Sequence, residues 1–114
     1  MTDLSAEDAK LVALARQARA RIQADEGAAV RDETGRSYSG ANIDLPSTTL
    51  TALQLAVAQA RSAGAVDLEA AVVVTKQTSI DTRALAEAIS TPTTVFVCSP
   101  RGDIVDSTTV EPNS

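Results

Sequence analysis

Any chemistry in this sequence has to be done without histidine. The 114 residues contain none, and they contain a single cysteine, Cys98. A Ser-His-Asp arrangement is therefore impossible, and three nitrogen or sulfur ligands for a catalytic zinc cannot be assembled in any register. Cys98 could act as a nucleophile, but a cysteine directly after Val95-Phe96-Val97 reads as a small apolar residue buried in a strand. Asp25 and Glu26 could hold a cation; the alternative is a solvated loop. Neither the Walker pattern nor G-x-G-x-x-G occurs. One stretch stands out for its density of polar groups and glycines: Gly27 to Asp44, GAAVRDETGRSYSGANID.

Its own local structure must position that stretch. Ala28-Ala29-Val30 is an apolar run, Arg31 to Gly35 a charged turn, and Arg36 to Ile43 a second extended run. Glu33-Thr34-Gly35 supplies the turn, with Gly35 free to take positive φ. Tyr38 and Ile43 bring β-propensity to the return strand.

Ahead of the hairpin, Ser5 and Asp8 make a capping-box start for a helix reaching about Ala24. Leu11, Ala15, Ala18 and Ile22 lie on one face, with Lys10, Arg16, Arg19 and Arg21 mostly on a solvated one. Behind the hairpin, Pro46 and Ser47 break the strand, and Thr48 or Thr49 can cap a helix from Leu50 to Ala63. Leu50, Leu53, Val57 and Ala60 form its apolar face, and Gly64 its stop.

Leu68 to Thr75 is an almost continuous apolar strand, as expected where both faces are covered. Lys76 to Ile80 is a polar connection, Asp81 caps a short helix from Thr82 to Ile89, and Thr91-Pro92 stops it. Thr93 to Ser99 is a strand, Pro100-Arg101-Gly102 a turn, and Asp103 to Val105 a short edge extension. The order α-β-β-α-β-α-β, with room for a last β, predicts an α/β sandwich with a mixed sheet. One domain is expected over 1–106, with 107–114 a frayed tail.

Composition sets the outer limits. Hydrophobic residues make up 44%, yet there is one Phe, one Tyr, one Met and no Trp, so the core must be thin. Small domains with thin cores gain stability from subunit contacts, and a homo-oligomer is expected. A net charge of −5 argues against nucleic acid as the main partner. The sequence starts with no signal pattern, and the run Ala70 to Val74 is far too short to span a bilayer. A single cysteine fits a reducing compartment, and a cytoplasmic, non-membrane protein is expected.

The hairpin resembles that of the small nucleoside deaminases of the cytidine deaminase type. Their first hairpin reads like V-G-A-A-x … D/E-G-x-x-Y-x-G-x-N-x-E. Here the same places hold Gly27-Ala28-Ala29-Val30, then Thr34-Gly35-Arg36, then Tyr38-Ser39-Gly40-Ala41-Asn42-Ile43-Asp44. The later elements keep the family's order for most of the chain. The resemblance implies a cytidine deaminase-like α/β/α sandwich, and it implies Asn42 and Asp44 as the positions that hold a ribose. Asp44 is one methylene shorter than the family's Glu. An aromatic residue usual before the first strand is replaced by Ala24-Asp25-Glu26.

The resemblance also implies a zinc site. That site needs a His or Cys, a Glu two residues later to shuttle the proton, and a Pro-Cys-x-x-Cys on the next helix. Counting back from Gly64, the first motif falls on Thr51-Ala52-Leu53 and the second on Thr78-Ser79-Ile80-Asp81-Thr82-Arg83. The relic ligand positions are thus Thr51, Ser79 and Thr82, and the shuttle position is Leu53. A neutral hydroxyl is a poor zinc ligand, and Leu53 cannot carry a proton. The pocket is expected to close on mutual hydrogen bonds of these hydroxyls, or on a trapped water. Arg83 keeps the family's arginine, to cap a helix or pair with an acid.

The expectation is a catalytically inactive member of this fold, with no catalytic residue, metal or cofactor. It would act as an oligomeric interaction or scaffold protein, a dimer or tetramer if its subunits pack as in the family. The alternative is a nucleoside or small-molecule binding module using Asn42 and Asp44. An active deaminase, or a hydrolase with metal-free chemistry, ranks last, since no residue speaks for it.

Overall fold

The computed structural model describes residues 4–113. The elements are α1 (Ala6–Arg21), β1 (Gly27–Asp32), β2 (Ser37–Ala41), β3 (Ile43–Leu45), β4 (Thr48–Leu50), α2 (Ala52–Ser62), β5 (Leu68–Val74), α3 (Arg83–Ala86), β6 (Thr93–Cys98) and β7 (Ile104–Val110). Among the described residues, five strands form one sheet in the order β2-β1-β5-β6-β7, and β3-β4 form a separate ribbon. β5 and β6 run parallel, and the other neighbours are antiparallel. This is a mixed sheet in an α/β fold.

β5 is central because its residues suit burial on both sides. Ala71 and Val73 pack with Ala28, Val30 and Val95 under α2 and α3, where Leu53, Val57, Leu85 and Ile89 complete one core. Ala70, Val72 and Val74 pack with Ala29 and Cys98 under α1, where Leu11, Val12 and Ala15 complete the other. The core is thin in the sense expected: the largest fully buried side chains are leucines and valines. Small residues let α1 settle close to the sheet. A Cβ added at Gly27 would stand 2.0 Å from the Ala15 carbonyl oxygen, so glycine is required there by close approach.

Ser5 caps α1 by accepting from the Asp8 N–H. The helix ends at Arg21 rather than near Ala24, because Gln23 turns the chain with φ +52. Ile22, expected on the apolar face, is consequently 54% exposed. α2 ends in a Schellman motif: Gly64 takes φ +101, its N–H reaches the Arg61 carbonyl, and the Ala65 N–H reaches that of Ala60.

Three expectations are corrected. The return strand does not run through to Ile43: it stops at Ala41, and Ile43–Leu45 folds back on Thr48–Leu50 over Pro46-Ser47. Thr48 and Thr49 therefore lie in a strand, and the cap of α2 is Thr51. The helix expected from Thr82 to Ile89 is a single turn, though Leu85 and Ile89 do point inward. Finally, residues 107–110 are paired in β7 rather than frayed, so the fold reaches past 106. β7 pairs along all of β6, from Cys98↔Ile104 to Thr93↔Val110, Val110 is buried, and the Asn113 N–H donates to the Ala86 carbonyl. The physical reason is that Thr and Val are good strand formers, and a polar surface is normal for an edge strand. Residues 1–3 and 114 lie outside the described residues.

The β1–β2 turn is organised by one buried carboxylate. Asp32, only 2% exposed, accepts from the Thr34 hydroxyl at 2.7 Å, the Tyr38 hydroxyl at 2.9 Å, and the N–H groups of Thr34 and Arg36 at 2.8 and 3.0 Å. The Thr34 hydroxyl leads in holding this carboxyl at about 2, with the Tyr38 hydroxyl and the two N–H groups adding to it against the opposing effect of burial. Hydrogen bonds to the ionised form favour it. The folded value lies below the ordinary 3.8, so the contribution is present above 3.8 and is lost as pH falls through about 2. Asp32→Asn is therefore expected to lower the melting temperature at pH 7 and to flatten its decline between pH 4 and 2. Thermal melts followed by circular dichroism across that range check this. An unchanged slope would remove Asp32 from its place at the centre of the turn.

Candidate functional site

The start of β1, the end of β2, the carboxyl end of β5 and the N-terminus of α2 all meet at one end of the sheet. They enclose a cleft of about 270 Å³. Of the residues singled out from the sequence, Asn42, Thr51, Leu53 and Ser79 line it. Asp44 does not: it pairs with Thr49 in the β3–β4 ribbon and lines a neighbouring depression beside Ile22 and Leu45. Thr82 does not either, and the residue before it, Asp81, reaches the lining instead. Asn42 lines both the cleft and that depression, so the two positions expected to hold a ribose meet in the depression, while three of the four relic positions gather in the cleft.

Asn42 is fixed by the main chain. Its Oδ1 accepts from the Glu26 N–H at 2.8 Å, and its own N–H reaches the Glu26 carbonyl at 3.4 Å. That commits the carbonyl end of the amide to joining β1 and β2, and leaves the Nδ2 donors for the cleft. Glu26 is anchored in turn, because its Oε2 accepts from the Thr75 hydroxyl at 3.2 Å. The same hydroxyl accepts from the Gln77 N–H at 3.1 Å. Sequence reasoning saw Glu26 only as half of a carboxylate pair and missed Thr75 and Gln77. The available signal was the polar Thr75 closing an otherwise apolar strand, buried with its hydroxyl in use.

Thr51 has a task of its own. Its hydroxyl accepts from the Gln54 N–H at 3.0 Å, and Gln54 Oε1 accepts from the Thr51 N–H at 2.8 Å. This reciprocal capping box satisfies two donors at the start of α2. The expected closure on mutual bonds of the three hydroxyls is not what Thr51 does. Leu53, on the next half-turn, is buried in the core beneath α2.

The donor set does not fit zinc. Thr51 offers a neutral hydroxyl already engaged by the helix, Leu53 offers no heteroatom, and Ser79 is a second neutral hydroxyl. Cys98 packs under α1, on the opposite face of the sheet, and burial pushes its thiol up from the usual range. Among the described residues, no three His, Cys, Asp or Glu side chains are grouped so as to hold a metal ion. The charges at the cleft are carboxylates: Asp25, Glu26 and Asp81. Asp81 is paired with Arg83 Nη2 at 2.6 Å, and the Arg83 side chain and N–H hold its carboxyl at about 2. This is the pairing with an acid expected for Arg83.

A model of the cytidine deaminase-like family matches residues 4–102 of the chain. No curated protein matches it. Among solved structures it is similar to the cytidine deaminase of Burkholderia pseudomallei, with 19% identity, a TM-score of 0.76 and 93% of each chain covered. It is also similar to the cytidine deaminase of Mycobacterium leprae, with 20% identity, a TM-score of 0.68, and 93% of this chain and 94% of that one covered. These likenesses are of fold.

The capping role of Thr51 is testable apart from any activity. Thr51→Ala is expected to cost about 1 kcal/mol in urea unfolding, Thr51→Ser much less, and Thr51→Cys to behave like the alanine variant. Equal stabilities across the three would show that the hydroxyl does not hold the helix.

Proposed function

The chain belongs to the cytidine deaminase-like family, and we propose that it is a catalytically inactive member working as a homo-oligomeric interaction protein. One observation carries the reading: the positions that would bind zinc and move the proton, Thr51, Leu53 and Ser79, converge on one cleft, and none of the three carries a group suited to either task. Deamination requires an activated water and a proton carrier beside it. Leu53 has no proton to give, and Thr51 is spent on its helix.

Assembly is supported by two features. No aromatic side chain is fully buried, so the monomer core is modest. Ile22 and Leu45, 54% and 52% exposed, flank one depression beside the β3–β4 ribbon. The cytoplasmic reading rests on the lone cysteine; among the described residues no helix is long and apolar enough to cross a membrane. The acidic cleft lining supports the reading that nucleic acid is not the main partner.

Protein expressed with excess zinc is expected to carry far less than one zinc per chain, by elemental analysis, and to form no uridine from cytidine above the uncatalysed rate. Stoichiometric zinc with turnover would overturn the inactive reading. Light scattering at micromolar concentration is expected to give a dimer or larger, and a stable monomer would overturn the assembly.

A second reading, binding of a nucleoside or similar small molecule, is favoured by the open cleft and by Asn42, Gln77 and Ser79 along it. Asp44 lines the neighbouring depression, which Asn42 also borders. Calorimetry with a nucleoside panel decides it: absence of both heat and thermal shift at millimolar ligand dismisses the reading.

A further inference from the structure

A second concavity, of about 520 Å³, lies across the carboxyl ends of β5 and β6. Its size falls within the range of small-molecule sites, and it is larger than the cleft at the relic positions. The carboxyl ends of parallel strands are where open α/β sheets hold ligands, and β5 and β6 are the parallel pair here. Gln77 lines both spaces.

The groove is held in shape by bonds that need no ligand. The Ser99 N–H donates to the Asp103 carbonyl and the Gly102 N–H to the Ser99 carbonyl, both at 2.8 Å. Arg16 Nε reaches from α1 to the Pro100 carbonyl at 3.2 Å. One wall is therefore a pinned turn carrying Pro100, and beside it Val105 is 61% exposed.

Six of the eight lining residues are polar, and three of them set the character of the groove. Among the described residues, the Ser99 hydroxyl oxygen is buried with no hydrogen-bond partner, which is costly and uncommon. Lys76 brings the one cation of the lining, and Asp106 the one carboxylate. One of its oxygens, Oδ1, accepts from the Ser107 N–H at 2.8 Å, so the charge stays at the rim. The donors the groove offers an anion are the Lys76 ammonium and the orphaned Ser99 hydroxyl, with the Gln77 amide and the Thr78 hydroxyl beside them.

We infer that this groove is a binding site for a small apolar monoanion, an aliphatic or aromatic monocarboxylate. Its carboxylate meets the Lys76 ammonium and accepts from the Ser99 hydroxyl, and its apolar body lies along Pro100 and Val105. One lysine suits a single negative charge and not a polyanion. The site is independent of the relic cleft and does not require that cleft to be active or inactive.

The test is a titration of the ¹⁵N-labelled full chain with hexanoate, hexanamide and hexylamine, followed by amide shifts. Hexanoate is expected to move residues 75–78, Ser99 and residues 105–106 saturably, with a dissociation constant of about millimolar. Hexanamide is expected to bind about tenfold more weakly, having lost the charge-assisted contact, and hexylamine more weakly still. Lys76→Met should abolish the preference for hexanoate over hexanamide, and Ser99→Ala should weaken hexanoate; unchanged shifts elsewhere in each spectrum establish that the fold is kept. Four results would each overturn the proposal: no saturable shift, shifts centred on Asn42 and Thr51 instead, hexylamine binding as tightly as hexanoate, or a preference that survives Lys76→Met.

Discussion

The closeness of α1 to the sheet governs much of this structure. At Gly27 the helix backbone lies where a side chain would otherwise begin, and Ala15, Ala18 and Ala29 keep the neighbouring contacts equally shallow. Dense packing of small residues stabilises through many weak dispersion contacts rather than through large buried areas. A layer so thin has no slack, since a methyl group more or less is felt directly. Arg31 reinforces the same joint from outside, reaching Asp8 on α1 at 3.1 Å and Glu69 on β5 at 2.7 Å. Such half-exposed pairs add direction more than stability.

On the other face of the sheet, the cleft owes its shape to the backbone. The cleft sits where strand ends and a helix start converge, a place defined by backbone topology and not by any one side chain. Thr51 then serves the backbone, capping α2, and Leu53 joins the core. Asn42 is held by β1 through Glu26, and Glu26 by β5 through Thr75. Each polar group is first a tie between elements. Whatever binds there meets a frame already satisfied within itself.

Much of the fold was legible because its signals are local or periodic. The apolar run of β5, the Gly35 turn, the Gly64 stop and the order of elements follow from residue type and spacing. The family likeness was carried by Gly27 to Asp44, and the match over residues 4–102 agrees with it. Less legible were features set by tertiary contact. A Thr-rich segment reads as a tail until β6 is there to pair with it, and Ile22 reads as core until Gln23 turns the chain away. The site was legible in part. Asn42, Thr51, Leu53 and Ser79 could be placed by register, but Asp44 could not, since the ribbon of β3 and β4 carries it off the cleft. Gln77 and Asp81 reach the lining through a loop whose path no periodicity describes.

β7 bears on the fate of the sheet as well as on its width. An edge strand rich in threonine and valine, with no lysine or proline in it, is a template on which another chain can add itself strand to strand. Near its middle, Asp106 curls its carboxylate onto the Ser107 N–H, so one donor of the ladder is already taken and a negative charge stands at the rim. A charge at that place works against such addition, and it comes from a side chain that takes part in neither the core nor the cleft.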